Sequence, residues 1–347
     1  MMARQDPQVV RARAFCRATL PQVSRTFALS IRLLPGELGA AVGCAYLICR
    51  IADSVEDEPR MAAADKASLL DALTKCFDGP DDVQIFVARA KHLTGDAAHV
   101  RLVHNSDHVF SVYRSLRERA REHVRHWVCE MIAGMRKFVL LYPHGIRIQT
   151  LDEYREYCYY VAGTVGYLLT DLWHEYSWGV GSKRYAILRQ RCRGFAEALQ
   201  TVNILKDVVR DADVENSIYI PQDVLRTAGS SQEMILDPRR SGETREALGT
   251  LTRLAWHDLD EATAYLLAIP RTAAAVRIFC ALPLLFAYAT LRELTAHPDA
   301  LASRRVVKIS RAEVKSLTLL SVLGVMSNSA MRKLVERAST KPLLLGW

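Results

Sequence analysis

The sequence predicts an all-α protein built as one large helical domain. Apolar residues recur at helical spacing through almost the whole 347-residue chain, and no segment alternates as a half-buried strand does. Half of the residues are hydrophobic, while only 17 are Gly and 12 are Pro, so breaks between helices are few. A chain of this size is able to bury a large core. We expect a single domain over 1–347, with 1–20 and 340–347 as peripheral tails.

Charge and cysteine content limit the classes of partner and location. The net charge of +8 favours anionic partners such as diphosphates or a membrane surface. No nucleic-acid partner is expected, because the Arg-rich segment 114–125 lacks interleaved aromatic residues for base stacking. The eight cysteines form no C-x-x-C pair, which predicts buried free thiols. No signal peptide or membrane span is expected, so we predict a cytoplasmic monomer that either stays free or touches a membrane peripherally.

The first candidate functional element is an acidic stripe on an otherwise apolar helix. Segment 38–49 consists almost entirely of small and aliphatic residues. Polar residues then follow one another at steps of four, three and four, which places them on one helical face. They are Tyr46, Arg50, Asp53 and Asp57, with Glu56 beside them. Carboxylates at i, i+3 and i+4 repel one another unless a cation neutralises them, and Mg²⁺ is the simplest such cation.

A second acidic stripe follows in segment 200–211. Its members step by three, four and four on a helix otherwise rich in Ala, Val, Ile and Leu; they are Gln200, Asn203, Asp207 and Asp211. Either stripe alone is explained equally well as a solvated or salt-bridged helix face. The two together predict carboxylate clusters that face each other across a cavity and hold several Mg²⁺ ions.

Three other segments carry weaker signals. Ser24 and Arg25 lie at a predicted helix start, where they either hold a phosphate or form an ordinary N-cap. Gly163 and Gly166 lie inside a predicted helix, where each Gly costs about 1 kcal/mol against Ala. Such a cost predicts the close approach of another backbone or of a ligand. Phe279 lies in a buried apolar helix, either as the lining of an aromatic cavity or as plain core.

These motifs resemble those of the squalene/phytoene synthase family of head-to-head prenyl transferases, over about residues 24–320. Segment 46–57 fits the family pattern Y-x-x-x-R followed by D-x-x-E-D, and segment 203–211 fits N-x-x-[KR]-D-x-x-x-D. Segment 24–27 fits S-R-[ST]-F. Segments 157–163 and 279–283 resemble Y-C-x-Y-V-A-G and F-C-A-I-P, which favour the squalene-forming members of the family.

The resemblance implies the class I isoprenoid synthase fold with a central cavity. It also implies that two farnesyl diphosphates are joined to presqualene diphosphate and reduced to squalene, with Mg²⁺ and NADPH as cofactors. The implied metal ligands are Asp53, Glu56, Asp57, Asp207 and Asp211, and the implied catalytic residues are Tyr46, Arg50, Tyr157 and Phe279. The implied substrate-binding residues are Ser24, Arg25, Phe27, Val161, Gln200, Asn203 and Lys206, and the implied NADPH-binding residues are Lys308 and Arg311.

Departures from the family pattern leave alternatives open. Lys206 stands where Arg is commoner, and Ser310 stands where a second basic residue is expected beside Lys308. The reaction therefore either proceeds to squalene or stops at dehydrosqualene, phytoene or presqualene diphosphate. An alternative of a different class is a non-enzymatic helical protein that binds anionic lipid.

Overall fold

The computed structural model describes residues 6–24, 26–297 and 307–343. In these ranges the chain is helical, and its β-type pairing is confined to one bridge between Arg147 and Ile218. The all-α prediction is confirmed. The chain divides into two compact units, one with residues up to 144 and 171–177, the other with 145–170 and the chain from 178 onwards. The expectation of a single domain stays a prediction.

The first unit is organised around one apolar helix. Its helices are α1 (Pro7–Val23), α2 (Thr26–Arg32), α3 (Gly36–Glu56), α4 (Ala63–Lys75), α5 (Pro80–Arg89), α6 (Ala97–His104), α7 (Ser106–Ser115) and α8 (Glu118–Leu141). Helix α3 contacts α1, α2, α4, α6, α7 and α8. Its side chains Ala41, Ile48 and Ile51 are completely buried, so α3 is the core helix of this unit.

Residues 7–20 are packed, which corrects the expectation that 1–20 form a peripheral tail. Asp6 caps α1 by accepting a hydrogen bond from the backbone N–H of Gln8. Ala12 is completely buried, and the guanidinium of Arg13 forms a salt bridge of 2.9 Å with Glu37. Helical spacing places Ala12, Cys16 and Leu20 on one face of α1, and this face is packed.

The second unit is built on a long helix pair. Its elements are α9 (Leu151–Cys158), a π-helical turn (Tyr159–Gly163), α10 (Thr164–Tyr176), α11 (Ser182–Val214), α12 (Gln222–Thr227), α13 (Ser241–Ala268), α14 (Ala274–Ala296), α15 (Arg311–Gly324) and α16 (Asn328–Thr340). Helix α11 packs along α13, and α14 packs against α11, α13, α15 and α16. The last turns of α10, from residue 171, belong to the first unit.

The chain after α16 is packed as far as it is described. Leu343 is buried, and its backbone N–H donates to Glu313 at 3.2 Å. Residues 344–347, which belong to the expected C-terminal tail, lie outside the described residues.

Two helices meet the length and hydropathy criteria for a membrane span, contrary to the expectation that none would. They are α3 and α14, with mean hydropathies of 1.5 and 1.8. In both, most of the apolar window is buried inside the protein, 61% in α3 and 78% in α14. Core helices meet these criteria as readily as membrane-spanning helices do.

The cysteines are free thiols, as predicted. All eight lack a disulfide, and seven are buried. Burial raises the pKa of the Cys16 and Cys76 thiols to about 12. These thiols are therefore protonated near neutral pH and act as small apolar core residues.

Candidate functional site

The first acidic stripe lies at the C-terminal end of α3. Asp53 and Glu56 belong to the helix, and Asp57 is its C-cap, donating its backbone N–H to the Asp53 carbonyl at 2.8 Å. The C-terminal end of a helix carries partial negative charge. Three carboxylates at this end are therefore repelled by one another and by the helix, so a cation placed there stabilises all of them.

Arg50 is the cation that the stripe itself supplies. Its Nη1 lies 3.0 Å from Asp53 Oδ2, and its side chain is hydrogen-bonded to Tyr46. Burial lowers the pKa of Arg50, but Asp53 and Tyr46 more than offset this and hold the pKa above its ordinary value. Burial raises the pKa of Asp53, although Arg50 and His99 lower it. The guanidinium of Arg50 thus compensates the half-buried carboxylate of Asp53 only in part.

Arg50 also has an unused donor. Its Nε is buried and meets no hydrogen-bond acceptor in the described part of the chain. A buried donor without an acceptor costs about 1–3 kcal/mol, and a phosphate oxygen is an effective acceptor for a guanidinium. The guanidinium is therefore suited to an anionic ligand in addition to Asp53.

The aromatic ring of Tyr46 in this stripe lies next to that of Phe27 on α2. The rings of Phe27 and Tyr46 are 5.5 Å apart at an angle of 39°. Ser24 Oγ accepts a hydrogen bond of 3.1 Å from the backbone N–H of Phe27, so Ser24 caps the first turn of α2. The capping alternative is the one that the structure favours for Ser24. Arg25 lies outside the described residues.

Sequence reasoning missed His99 on α6. His99 interacts electrostatically with both Arg50 and Asp53 and is hydrogen-bonded to the backbone at Val23. Burial, followed by the charge of Arg50, lowers its pKa, so the imidazole is neutral near pH 7. No spacing in the sequence links His99 to the acidic stripe, because only the packing of α6 against α3 brings it there.

Hydrogen bonds hold the chain that follows this stripe. Glu58 is buried, and its carboxylate accepts two hydrogen bonds from Thr94. The backbone N–H of Thr94 donates at 2.7 Å and the Thr94 hydroxyl at 2.9 Å. Lys66 Nζ donates to the carbonyl of Glu56 at 2.5 Å. The end of α3 is therefore fixed from two sides, and its carboxylates keep a defined position.

The second acidic stripe lies on the C-terminal half of α11. Asn203 is exposed, Asp207 is half-buried and Asp211 is buried. Lys206 Nζ lies 3.0 Å from Asp207 Oδ2, and Arg210 Nη1 lies 3.8 Å from Asp211 Oδ1. Each carboxylate therefore has a cation on the neighbouring residue of the same helix.

The end of the second stripe is also fixed. The backbone N–H groups of Glu215 and Ser217 both donate to the carbonyl of Asp211. Between them, Asn216 has a positive φ of 48°. Gly145 approaches Asn216 so closely that a Cβ at Gly145 would overlap the Asn216 carbonyl. Segment 145–148 thus holds the turn that ends α11.

Tyr157 and Val161 lie beside a break in helix geometry. The ring of Tyr157 is buried and stacks on Tyr219, with centroids 4.9 Å apart and planes at 27°. The π-helical turn that follows contains Val161 and packs against α11. Such turns are frequent at functional sites.

The glycines of this segment serve close helix packing. A Cβ at Gly166 would overlap the backbone carbonyl of Cys192 on α11, so the alternative of an approaching backbone is confirmed there. A Cβ at Gly163 would lie 3.1 Å from the carboxylate of Glu197. A polar side chain, and not a second backbone, therefore occupies the space beside Gly163.

Glu197 is a second residue that sequence reasoning missed. It is buried, its Oε1 accepts from Arg193 Nε at 2.5 Å, and burial raises the pKa of its carboxyl despite Arg193. The Arg193 guanidinium also lies 4.9 Å from the ring centroid of Tyr159 in the π-helical turn. Glu197 precedes Gln200 by three residues, so the helical spacing of the stripe already contained the signal.

The remaining predicted residues are found in two settings. Phe279 is buried in α14. Lys308 and Arg311 are exposed; Lys308 lies just before α15, and Arg311 is the first residue of that helix. Between them, Ser310 caps α15 by accepting a 3.1 Å hydrogen bond from the Glu313 backbone. Segment 298–306, which precedes these cations, lies outside the described residues.

The carboxylates suit Mg²⁺ that arrives with a phosphate ligand. Among the described residues, no group of three or more His, Cys, Asp or Glu side chains is close enough to hold a metal ion. Mg²⁺ is usually bound by one or two protein carboxylates, with waters and substrate phosphates as its other ligands. Asp53 with Asp57, and Asp207 with Asp211, supply oxygen ligands of this kind at two helix ends. The donor set therefore fits Mg²⁺.

Comparison with known proteins decides the family. The family profile described as "Squalene/phytoene synthase" matches residues 20–313. The chain belongs to the squalene/phytoene synthase family. As a member of this family, the chain is a transferase that carries out head-to-head prenyl condensation. The non-enzymatic alternative is therefore excluded.

Relatives and solved structures agree with this membership. The chain is 28% identical to a squalene synthase of Nicotiana benthamiana over 300 residues, 86% of this chain and 67% of that protein. It is 27% identical to a squalene synthase of Schizosaccharomyces pombe over 329 residues, 91% of this chain and 66% of that protein. The chain thus spans about two thirds of each relative.

The fold is shared with TcSQS, solved as a complex with the ligand BPH1237. The match has a TM-score of 0.76 at 23% identity, and it covers 95% of this chain and 98% of that chain. This likeness confirms the fold class that the family resemblance implied.

Proposed function

We propose that this enzyme joins two farnesyl diphosphates to presqualene diphosphate in a Mg²⁺-dependent step and reduces the product to squalene with NADPH. The observation that carries the proposal is the end of α3, where half-buried Arg50 pairs with Asp53 and its buried Nε donor has no acceptor among the described residues. This arrangement occurs in a family member whose similar relatives are named squalene synthase.

In the first step, the chain's own residues hold and neutralise the diphosphates. Asp53 and Asp57, with Asp207 and Asp211, would hold Mg²⁺, and Glu56 would support the first pair from its buried position. Mg²⁺ would supply positive charge to the leaving diphosphate. Arg50 donates further hydrogen bonds, and Lys206 adds a point charge. These carboxylates act as ligands and not as general acids.

Bond formation follows loss of the first diphosphate. The alkene of the second farnesyl chain attacks the allylic cation, and loss of one proton closes the cyclopropane ring. Tyr157 is our candidate proton acceptor, and its stacking on Tyr219 fixes the orientation of the ring. Buried Phe279 offers an aromatic face that stabilises a carbocation and excludes water.

The reductive half rests on fewer residues. NADPH would supply the hydride, and Lys308 and Arg311 offer exposed positive charge for its phosphate. Ser310 contributes no charge, because its hydroxyl caps α15. This capping role favours, as a second candidate, an enzyme that stops at presqualene diphosphate or dehydrosqualene.

The test is product analysis by mass spectrometry. Purified enzyme is incubated with farnesyl diphosphate and Mg²⁺, with and without NADPH, and with EDTA as the control. We expect squalene only when both Mg²⁺ and NADPH are present. Presqualene diphosphate or dehydrosqualene regardless of NADPH would contradict the reductive half. If geranylgeranyl diphosphate is converted and farnesyl diphosphate is not consumed, the proposal that farnesyl diphosphate is the substrate is contradicted.

A further inference from the structure

Helix α15 presents an apolar patch to solvent. The patch consists of Leu319, Val322, Leu323 and Met326, whose exposed fractions are 38%, 42%, 72% and 55%. The residues step by three and four, so they lie on one face of the helix and the turn that follows it. Contiguous exposed apolar side chains of this kind mark interaction surfaces.

The polarity of α15 is inverted relative to an ordinary surface helix. Its buried residues are Glu313, Ser316, Leu317 and Ser321, of which three are polar. These residues lie on the side that packs against α14 and α16, and Glu313 is paired there with Arg292 at 2.9 Å. The helix therefore satisfies polar groups inside and leaves Leu, Val and Met outside. Folding of the chain alone does not explain this arrangement, because burial of the apolar face would be favourable.

Basic residues precede and follow the patch along the chain. Lys315 lies one turn before the patch on the same face, and Arg332 and Lys333 follow on the first turns of α16. In the described segment 307–337, Glu313 is buried and ion-paired, and Glu336 is the one exposed acidic residue. The exposed cations of this segment outnumber that acid and make its exposed charge net positive; they are Lys308, Arg311, Lys315, Arg332, Lys333 and Arg337.

An exposed tryptophan belongs to the same end of the second unit. Trp178 is 88% exposed. The next residue, Gly179, packs against the turn 269–272, where a Cβ would overlap a side-chain oxygen. Buried Arg277 donates to a carbonyl of that turn at 2.6 Å and to the carbonyl of Val325 at 2.8 Å, directly before the last residue of the patch. Trp178 therefore lies on a turn that is tied to the patch.

We propose that this surface docks on an anionic lipid bilayer. Leu319, Val322, Leu323 and Met326 would enter the boundary between head groups and acyl chains, with Trp178 at the level of the head groups. Lys315, Arg332 and Lys333 would face the anionic head groups. A second copy of the chain is a poorer occupant, because a two-fold contact through this face would bring like charges together.

The test is flotation of the full-length protein with vesicles, in the absence of substrate. Vesicles of pure phosphatidylcholine are compared with vesicles containing phosphatidylglycerol, at low and high salt. We expect binding to the anionic vesicles that weakens as salt increases. The inference is independent of the proposed reaction, because no turnover enters the measurement.

Matched variants separate the contribution of the patch from general surface effects. Leu323→Ser combined with Met326→Ser should weaken binding about tenfold or more. The control is Ile85→Ser in the first unit. Ile85 is 54% exposed, as Met326 is at 55%, and its replacement should leave binding unchanged. Arg332→Ser with Lys333→Ser should weaken binding at low salt by about fivefold for each cation. Lys75→Ser with Lys91→Ser is the control for the removal of charge.

Three results would overturn the proposal. The first is absence of binding to anionic vesicles, and the second is equal binding by the patch variant and the Ile85→Ser control. The third is a dimer in light scattering that the patch variant dissociates, which would assign this face to a second copy. Thermal unfolding of each variant serves as the folding check, and unchanged midpoints are expected because the substituted side chains are exposed.

Discussion

The two acidic stripes share the same helical spacing of carboxylates but differ in the cations that accompany those carboxylates. On α3, Asp53 is paired with Arg50 one turn away, and burial raises the pKa of its carboxyl. On α11, Asp207 is paired with adjacent Lys206, on a helix face where Asn203 is exposed. The Asp53 and Asp207 side chains are similarly exposed, at 27% and 31%, and Asp211 is more buried, at 10%. The stripes differ instead in their cations, because Arg50 lies within the first stripe whereas Lys206 and Arg210 lie next to the carboxylates of the second.

This difference indicates that the two helix ends gain unequally from a bound cation and an anionic ligand. At the end of α3, Arg50 compensates Asp53 only in part and keeps an unused Nε donor, so this end gains most from a bound cation and an anionic ligand. The end of α11 gains less, because each of its carboxylates already has a cation on the adjacent residue. We therefore expect substitutions at α3 to have larger effects than matched substitutions at α11, except where a ligand carboxylate itself is removed.

Removal of a ligand carboxylate should have the largest effect and be equally severe at both stripes. Asp53→Ala and Asp207→Ala should each reduce turnover by about a thousandfold, because the leaving diphosphate loses its compensating charge. The helical circular-dichroism spectrum should be unchanged. Asp65→Ala, at an exposed position of α4, is the control. Normal turnover in either stripe variant would contradict the assignment of its ligand role.

Exchange of the cation beside each stripe, Arg50 or Lys206, should affect kcat/KM differently at the two stripes. Arg50→Lys should lower kcat/KM about a hundredfold, because Lys cannot replace both the Asp53 pair and the buried Nε donor. Lys206→Arg should change kcat/KM by about threefold or less, because Lys206 acts as a half-exposed point charge. Steady-state kinetics with farnesyl diphosphate measure both values. A larger loss in Lys206→Arg than in Arg50→Lys would reverse the comparison.

The position of the second stripe should depend on the contact between α10 and α11. Gly166→Ala should lower the free energy of unfolding by about 3 kcal/mol, because its Cβ would overlap the Cys192 carbonyl. Gly194→Ala is the matched control on α11, where a Cβ would have no neighbouring atom within 4 Å outside its own turn of helix. That control should raise stability by about 1 kcal/mol or less. Denaturant unfolding gives both values, and equal stabilities would refute the close approach.

The smallest effect should be that of Asp53→Asn on the thermal unfolding midpoint, measured without Mg²⁺. The folded state raises the pKa of Asp53, so folding favours its protonated form and ionisation at higher pH costs stability. Asp53→Asn mimics the protonated form and should raise the unfolding midpoint at pH 7 by about 1–2 °C. The gain should disappear as the pH falls far enough to protonate the wild-type carboxyl. A lowered midpoint at pH 7 would show that the Arg50 pair outweighs the cost of burial.

Much of the fold and of both stripes could be predicted because their signals are local. Helical spacing alone placed Asp53 and Asp57 on one face, and the same holds for Asp207 and Asp211. Glu197 was also within reach, since it extends the α11 stripe by three residues.

The features that were missed depend on contacts between distant segments. His99 reaches Asp53 only because α6 packs on α3. The packing of α1 depends on α3 and α7, which come later in the chain. The role of Gly166 was left open for the same reason, because a sequence does not reveal whether a backbone or a ligand fills the space. Helices α3 and α14 show the converse, since composition alone does not separate a core helix from a membrane span.

The most direct measurement of the central claim is calorimetric binding of a farnesyl thiodiphosphate that resists ionisation. It should be made with and without Mg²⁺, for the wild type, Asp53→Asn and Asp207→Asn. We predict that wild-type binding requires Mg²⁺ and that each variant loses at least about tenfold in affinity, because each stripe contributes ligands. Wild-type affinity and Mg²⁺ dependence in either variant would contradict the claim that both stripes bind the metal–diphosphate ligand.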